Sequence, residues 1–62
     1  MTLDQCIAAL QRARELIFSV EQEYAGRGTT SATVVLQRGL NARAQVGNME
    51  HELLIEKGVR NR

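Results

Sequence analysis

Apolar and small residues recur along the chain at alternating spacings of three and four, in two stretches separated by a short loop. This spacing places the residues of each stretch on one face of an α-helix. The first series is Leu3, Cys6, Leu10, Ala13, Ile17, Val20 and Tyr24, and the second is Ala32, Val35, Gly39, Ala42, Val46, Met49 and Leu53. The pattern therefore predicts two amphipathic helices and no sheet.

The ends of both predicted helices carry local signals. Thr2, followed three residues later by Gln5, is a capping-box pattern that starts a helix. Residues 26–31, Gly-Arg-Gly-Thr-Thr-Ser, have the only loop-like composition in the chain, and Gly58 is typical of a helix end. We therefore expect one domain over residues 1–62, with a helix at about 3–25, a loop at 26–30, a helix at about 31–57 and a short basic tail at 58–62.

Two places in the second stretch allow another interpretation. Residues 29–35 are rich in β-branched side chains, but a strand there has no second strand to pair with, so a helix is favoured. Gly47 and Asn48 have the residue types of a helix break followed by a new cap. The apolar spacing from Val46 to Met49 nevertheless continues unbroken across them. We therefore predict one continuous second helix.

Folding the chain back at the loop aligns the two apolar series in seven layers without a slip. Large residues then face small ones, with Ile17 opposite Gly39, which lets the side chains interdigitate. The predicted fold class is all-α: an antiparallel two-helix hairpin of the coiled-coil type. Because so short a chain has little core of its own, we expect dimerisation or a partner to complete a four-helix bundle.

One side of the predicted hairpin carries large apolar residues beside the seam. With Leu3 as position a of the heptad, the e and b positions of both helices fall on this side, whereas the opposite side is mostly polar. A contiguous apolar patch indicates an interaction surface, while exposed leucines that are scattered singly do not. We therefore predict a partner-binding face formed by Ile7, Phe18, Leu36, Leu40 and Leu54.

Two arginines lie on the same side, almost opposite each other in the predicted hairpin. The guanidinium groups of Arg14 and Arg43 could together hold a carboxylate or phosphate group, so they form a candidate site for an anion or an acidic partner. The alternative is that each side chain extends into water or pairs with Glu21 or Glu50 nearby. The sequence leaves both interpretations open.

Composition narrows the classes of function. The net charge is +1, and one Phe and one Tyr are the only aromatic residues, which argues against a basic stripe for duplex binding and against base stacking. One Cys and one His are too few for an internal disulfide or a structural zinc site, so we expect no metal. We expect Cys6 to be a buried small residue and His51 a solvated one. Without a signal-peptide or membrane-spanning pattern, we expect a complete, short cytoplasmic protein with no membrane partner.

No nucleophile, base and orienting partner come together in the sequence, so we expect neither enzymatic activity nor a cofactor. In size and architecture the chain resembles the short helical-hairpin co-chaperones of type III secretion and small phage-encoded regulators. The expected function is a helical protein–protein interaction module, an adaptor, co-chaperone or inhibitor, that buries its apolar face in a homodimer or against another protein. The alternative is a regulator that binds nucleic acid or an anionic nucleotide through arginines at a dimer face.

Overall fold

The computed structural model describes the backbone of residues 1–60 and contains two helices there, α1 (Leu3–Tyr24) and α2 (Thr30–Arg60). The helices run antiparallel and pack against each other. The hairpin is a rod with extents of 50 × 15 × 14 Å, which fits a helix of 31 residues at a rise of about 1.5 Å per residue. The all-α hairpin predicted from the sequence is confirmed.

The start of α1 is fixed by a reciprocal cap. The amide N–H of Gln5 donates to the hydroxyl of Thr2 at 3.1 Å, and the amide N–H of Thr2 donates to the side-chain oxygen of Gln5 at 2.8 Å. These two bonds satisfy amides that have no partner within the helix, so the predicted capping box is confirmed.

The loop reverses the chain in five residues, between Tyr24 and Thr30. Gly26 and Gly28 have φ angles of +84° and +70°, a backbone conformation that glycine adopts without the steric cost of a side chain. Thr29 then caps α2, because its hydroxyl accepts a hydrogen bond from the amide of Ala32 at 3.0 Å. The β-branched residues after it are helical, as predicted in the absence of a pairing strand.

The second helix is continuous through Gly47 and Asn48, but it does not end at residue 57 as predicted. A glycine that ends a helix adopts a positive φ, whereas Gly58 is not among the positive-φ glycines and α2 continues to Arg60. Lys57 reaches across to Asp4 at 2.8 Å from inside this last segment. The predicted basic tail is therefore helical as far as residue 60, and Arg62 lies outside the described residues.

The contact between the helices is rotated relative to the predicted seam. Positions e of the heptad turn inward, so that Ile7, Glu21 and Glu50 are among the most buried residues. Positions d turn outward in part, and Val20 and Met49 are 51% and 55% exposed. The seam predicted from positions a and d is therefore corrected to one centred between a and e. The rotation brings side chains of opposite charge on the two helices within reach of each other.

The hairpin has a very small apolar interior. Among the described residues, Ile7 and Ala32 are the only apolar ones classed as buried. The accessible surface is 4749 Å², whereas a compact protein of 6.9 kDa exposes about 4,000 Å². Much of the apolar surface therefore remains exposed to water, along the sides of the hairpin.

Candidate interaction surfaces

The two long sides of the hairpin differ in chemistry. At about 100° per residue, positions e and b of each helix lie on one side of the seam and positions d and g on the other. We call the first side the ion-pair edge, which contains Arg14, Phe18, Glu21, Arg43 and Glu50. We call the second side the apolar groove, which is lined by Ile17, Val20, Val34, Val35, Gly39 and Ala42.

The ion-pair edge is built around a contact between Glu21 of α1 and Arg43 of α2. Arg43 Nη2 donates to Glu21 Oε1 at 2.9 Å, and Arg43 Nε lies 2.6 Å from Glu21 Oε2 at an angle outside that of a hydrogen bond. The guanidinium carbon of Arg43 also lies 5.1 Å from the centre of the Phe18 ring, within the range of a cation–π contact. The Glu21 side chain is only 9% exposed, and Arg43 supplies the opposite charge that a buried carboxylate needs.

A second ion pair crosses the hairpin in the opposite sense. Arg14 Nη2 of α1 lies 2.9 Å from Glu50 Oε2 of α2, and Gln11 Nε2 donates to the other oxygen of the same carboxylate at 3.1 Å. The Glu50 side chain is 10% exposed. Two nearly buried carboxylates are thus each held by an arginine from the other helix, which fixes the register of the helices as well as their contact.

Both arginines of the candidate anion site, Arg14 and Arg43, are paired with carboxylates of the same chain. The structure shows the pairing with Glu50 and Glu21 that was one of the two interpretations. A shallow recess of about 340 Å³ lies between Gln11, Arg14, Glu15, Phe18 and Arg43. The two carboxylates balance the charges of the two guanidinium groups beside this recess, and anion binding there stays a prediction.

Sequence reasoning missed the regularity that produces this pair of contacts. Residues 29 apart in the chain repeat: Ala13-Arg14 matches Ala42-Arg43, and Glu21 matches Glu50. An antiparallel pair of similar helices has an approximate twofold axis between them, and this axis exchanges the Arg14–Glu50 pair with the Arg43–Glu21 pair. The Arg-x6-Glu spacing in both helices was the available signal.

A glycine makes room for the Glu21 side chain. A β-carbon added at Gly39 would lie 2.6 Å from Glu21 Cγ and 2.8 Å from Glu21 Cδ, closer than real β-carbons approach other atoms. The predicted layer placed Ile17 opposite Gly39, but the atoms nearest to that position belong to Glu21, one turn later. Gly39 therefore permits the close approach that carries the Glu21 carboxylate to Arg43.

The five residues of the predicted partner-binding face are not all on the surface. Ile7 is 7% exposed and Leu36 is half-buried, because both occupy position e and turn toward the other helix. Phe18, Leu40 and Leu54 are about half exposed, as expected for position b. The exposed part of this face therefore consists of Phe18, Leu40 and Leu54, beside the ion pairs.

The apolar groove lies on the side that was predicted to be mostly polar. It is an open depression of about 340 Å³ between the helices. Glu21 and Arg38 also border it, but almost all of the accessible surface of its lining is apolar. The floor of the groove is recessed because Gly39 and Ala42 have little or no side chain. Val20 and Val34 form its sides and are exposed. The outward rotation of position d produced this depression, which is why the heptad pattern alone did not predict it.

The single Cys and His carry no arrangement that indicates chemistry. Cys6 is half-buried with its sulfur 3.8 Å from that of Met1, and His51 is exposed. No cluster of three potential metal ligands occurs among the described residues. Within residues 1–60, neither helix combines the length and apolarity needed to span a membrane.

Comparison with known proteins adds no relative. No protein-family model matches the chain, and neither the curated proteins nor the solved structures contain a significant match to it. The function must therefore be inferred from the two sides of the hairpin.

Proposed function

We propose that this chain is a non-enzymatic helical protein-interaction module, of the adaptor, co-chaperone or inhibitor type, that buries its apolar groove against a protein partner. The observation that carries the proposal is the exposure of Val20 and Met49, which occupy heptad positions that ordinarily contact another helix. Contiguous apolar side chains with a charged rim are typical of surfaces that meet another protein.

The small interior of the hairpin supports the same proposal. Chains below about 70–80 residues rarely gain more than ~3–5 kcal/mol from one apolar core, and this hairpin buries only two apolar residues among those described. A partner that covers the groove adds apolar burial that the chain does not supply by itself. Completion of a helical bundle is the arrangement that fits two exposed helix faces.

The alternative function, binding of nucleic acid or an anionic nucleotide through Arg14 and Arg43, is the weaker proposal. Both guanidinium groups are engaged by carboxylates of the same chain, and the net charge of the protein is only +1. Binding of that kind weakens steeply with added salt, whereas contact through the groove does not. Cytoplasmic location stays a prediction of the sequence.

Site-specific photo-crosslinking in the source cell tests the interaction proposal. A benzophenone amino acid at Val20 places the reactive group at the side of the groove, and the same amino acid at Gln22, on the outward face of α1, is the matched control. We expect discrete protein adducts from the Val20 position and none from the Gln22 position. Equal adducts from both positions, or none from Val20, would contradict the proposal.

A further inference from the structure

We propose that the partner of the apolar groove is a second copy of this chain, stacked antiparallel on the first about a twofold axis that crosses α2 near Gln45. The inference rests on the proposed function and names the occupant of the same surface. It follows from three features of the groove side: two unpaired charges, the alternation of protruding and recessed side chains, and the area of the face.

The unpaired charges are Arg38 and Glu52. Among the charged side chains of residues 1–59, whose placement the structure describes, these two are the only ones without an ion pair or hydrogen bond. Arg38 lines the rim of the groove, and Glu52 follows 14 residues later, on the same edge of α2 at a distance of about 21 Å along the helix. Gln45 lies midway between them. An antiparallel α2 of a second copy, centred on Gln45, places Glu52 of that copy opposite Arg38.

The protruding and recessed apolar side chains of α2 are also arranged on either side of Gln45. Met49 is 55% exposed, and Ala42, seven residues before it on the same edge, forms part of the groove floor. The midpoint of this pair is also next to Gln45. The axis that joins Arg38 to Glu52 therefore also inserts Met49 of each copy over Ala42 of the other. Each contact forms twice, as a closed twofold dimer requires.

The groove side of α1 carries exposed apolar side chains close to the same axis. Leu16 and Val20 are both about half exposed. A twofold axis that crosses α1 between these two residues places Leu16 of each copy against Val20 of the other. The contact buries apolar side chains that the single hairpin exposes.

The contacts that cross the hairpin show which part of α1 is level with Gln45. The Gln11–Glu50 hydrogen bond aligns Leu16 with Gln45, and the Arg14–Glu50 ion pair aligns Ser19 with it. An axis through Gln45 therefore crosses α1 between Leu16 and Val20. A face of 50 × 15 Å offers about 750 Å² per copy, close to the ~800 Å² per partner of a stable interface.

Solution mass across a dilution series, combined with charge reversal, tests the inference. We expect the wild-type chain to sediment as a dimer at twice 6.9 kDa and to dissociate on dilution. Either Arg38→Glu or Glu52→Arg alone should raise the dimer dissociation constant about 10-fold or more, since each removes two ion pairs and adds repulsion. The double variant restores opposite charges and should return the constant to within about threefold of wild type.

The control is Leu40→Glu, which introduces a charge at an exposed position of the ion-pair edge and should leave the dissociation constant unchanged. Helicity by circular dichroism shows that each variant folds, and both reversed residues are exposed in the hairpin. A monomer at every concentration overturns the inference, and so does a dimer whose dissociation constant is unchanged by the charge reversals. A monomer that still gives adducts from Val20 to a different protein would leave the proposed function standing, so the two failures are distinguishable.

Discussion

The ion-pair edge and the apolar groove are built from the same heptad repeat, but one carries paired charges and the other carries exposed apolar side chains. On the ion-pair edge, long charged side chains from both helices cross the seam and form ion pairs at 2.9 Å or less. On the groove side, residues of the same repeat are apolar and partly exposed to water. The first edge is closed within one chain, whereas the second is complete only when something covers it.

The difference shows that charge acts together with the apolar seam in setting how the helices are rotated. Buried carboxylates are costly unless they are paired, so Glu21 and Glu50 favour the rotation that brings Arg43 and Arg14 to them. The same rotation moves Val20 outward. Apolar exposure on one side therefore accompanies ion pairing on the other.

Of the substitutions considered, loss of Arg43 from the ion-pair edge should lower the free energy of unfolding the most. Arg43→Ala leaves the nearly buried Glu21 carboxylate without its partner, and we expect the free energy of unfolding to fall by about 2–3 kcal/mol, since Arg43 is partly exposed. Urea unfolding followed by circular dichroism at a fixed protein concentration measures it. Arg12→Ala removes the exposed pair with Glu15 and should cost less than about 0.5 kcal/mol. Equal losses in the two variants would refute the importance of the buried pair.

The next largest difference in the free energy of unfolding should be between truncation of a leucine in the seam and truncation of a leucine on the ion-pair edge. Leu10 is half-buried between the helices, so Leu10→Ala should lower the free energy of unfolding by about 2 kcal/mol. Leu40 is 54% exposed, and Leu40→Ala should change it by less than about 0.5 kcal/mol. Thermal unfolding of both variants under identical conditions gives the comparison. A comparable loss at Leu40 would mean that the edge is covered.

Two glycines of α2 should respond to alanine with opposite signs. At Gly39 the added methyl group collides with Glu21, so we expect a net loss of about 1 kcal/mol despite the better helix propensity of alanine. At Gly47 no atom lies within 4 Å of an added β-carbon, so Gly47→Ala should stabilise the helix by up to ~1 kcal/mol. Denaturant midpoints measure both, and stabilisation of similar size at Gly39 would show that Glu21 moves aside without cost.

The smallest expected change in the free energy of unfolding comes from the cation–π contact between Phe18 and Arg43. Phe18→Leu keeps an apolar side chain but removes the ring under the guanidinium group, which should cost about 0.5 kcal/mol at this half-exposed position. Phe18→Tyr keeps the ring and serves as the control. A double-mutant cycle with Arg43→Met isolates the contact, and a coupling energy indistinguishable from zero would remove Phe18 from the ion-pair edge.

The sequence by itself determined the two helices, the cap at the start of the first, the loop and the antiparallel reversal. These features depend on local chemistry: the hydroxyl of Thr2, the backbone freedom of Gly26 and an apolar spacing that allows only helices. The pattern also placed Arg14 and Arg43 near Glu21 and Glu50. It could not decide between ion pairing and anion binding, because that choice depends on a few ångströms between side chains of different helices.

Only the tertiary structure decided how far each helix turns about its axis. A rotation of a fraction of a turn moves positions e inside and positions d outside without any change in the heptad pattern, so Ile7 left the predicted partner face and Val20 entered the groove. The rotation depends on the balance between two long-range ion pairs and a thin apolar seam. That balance is a property of both helices together, and neither helix encodes it alone.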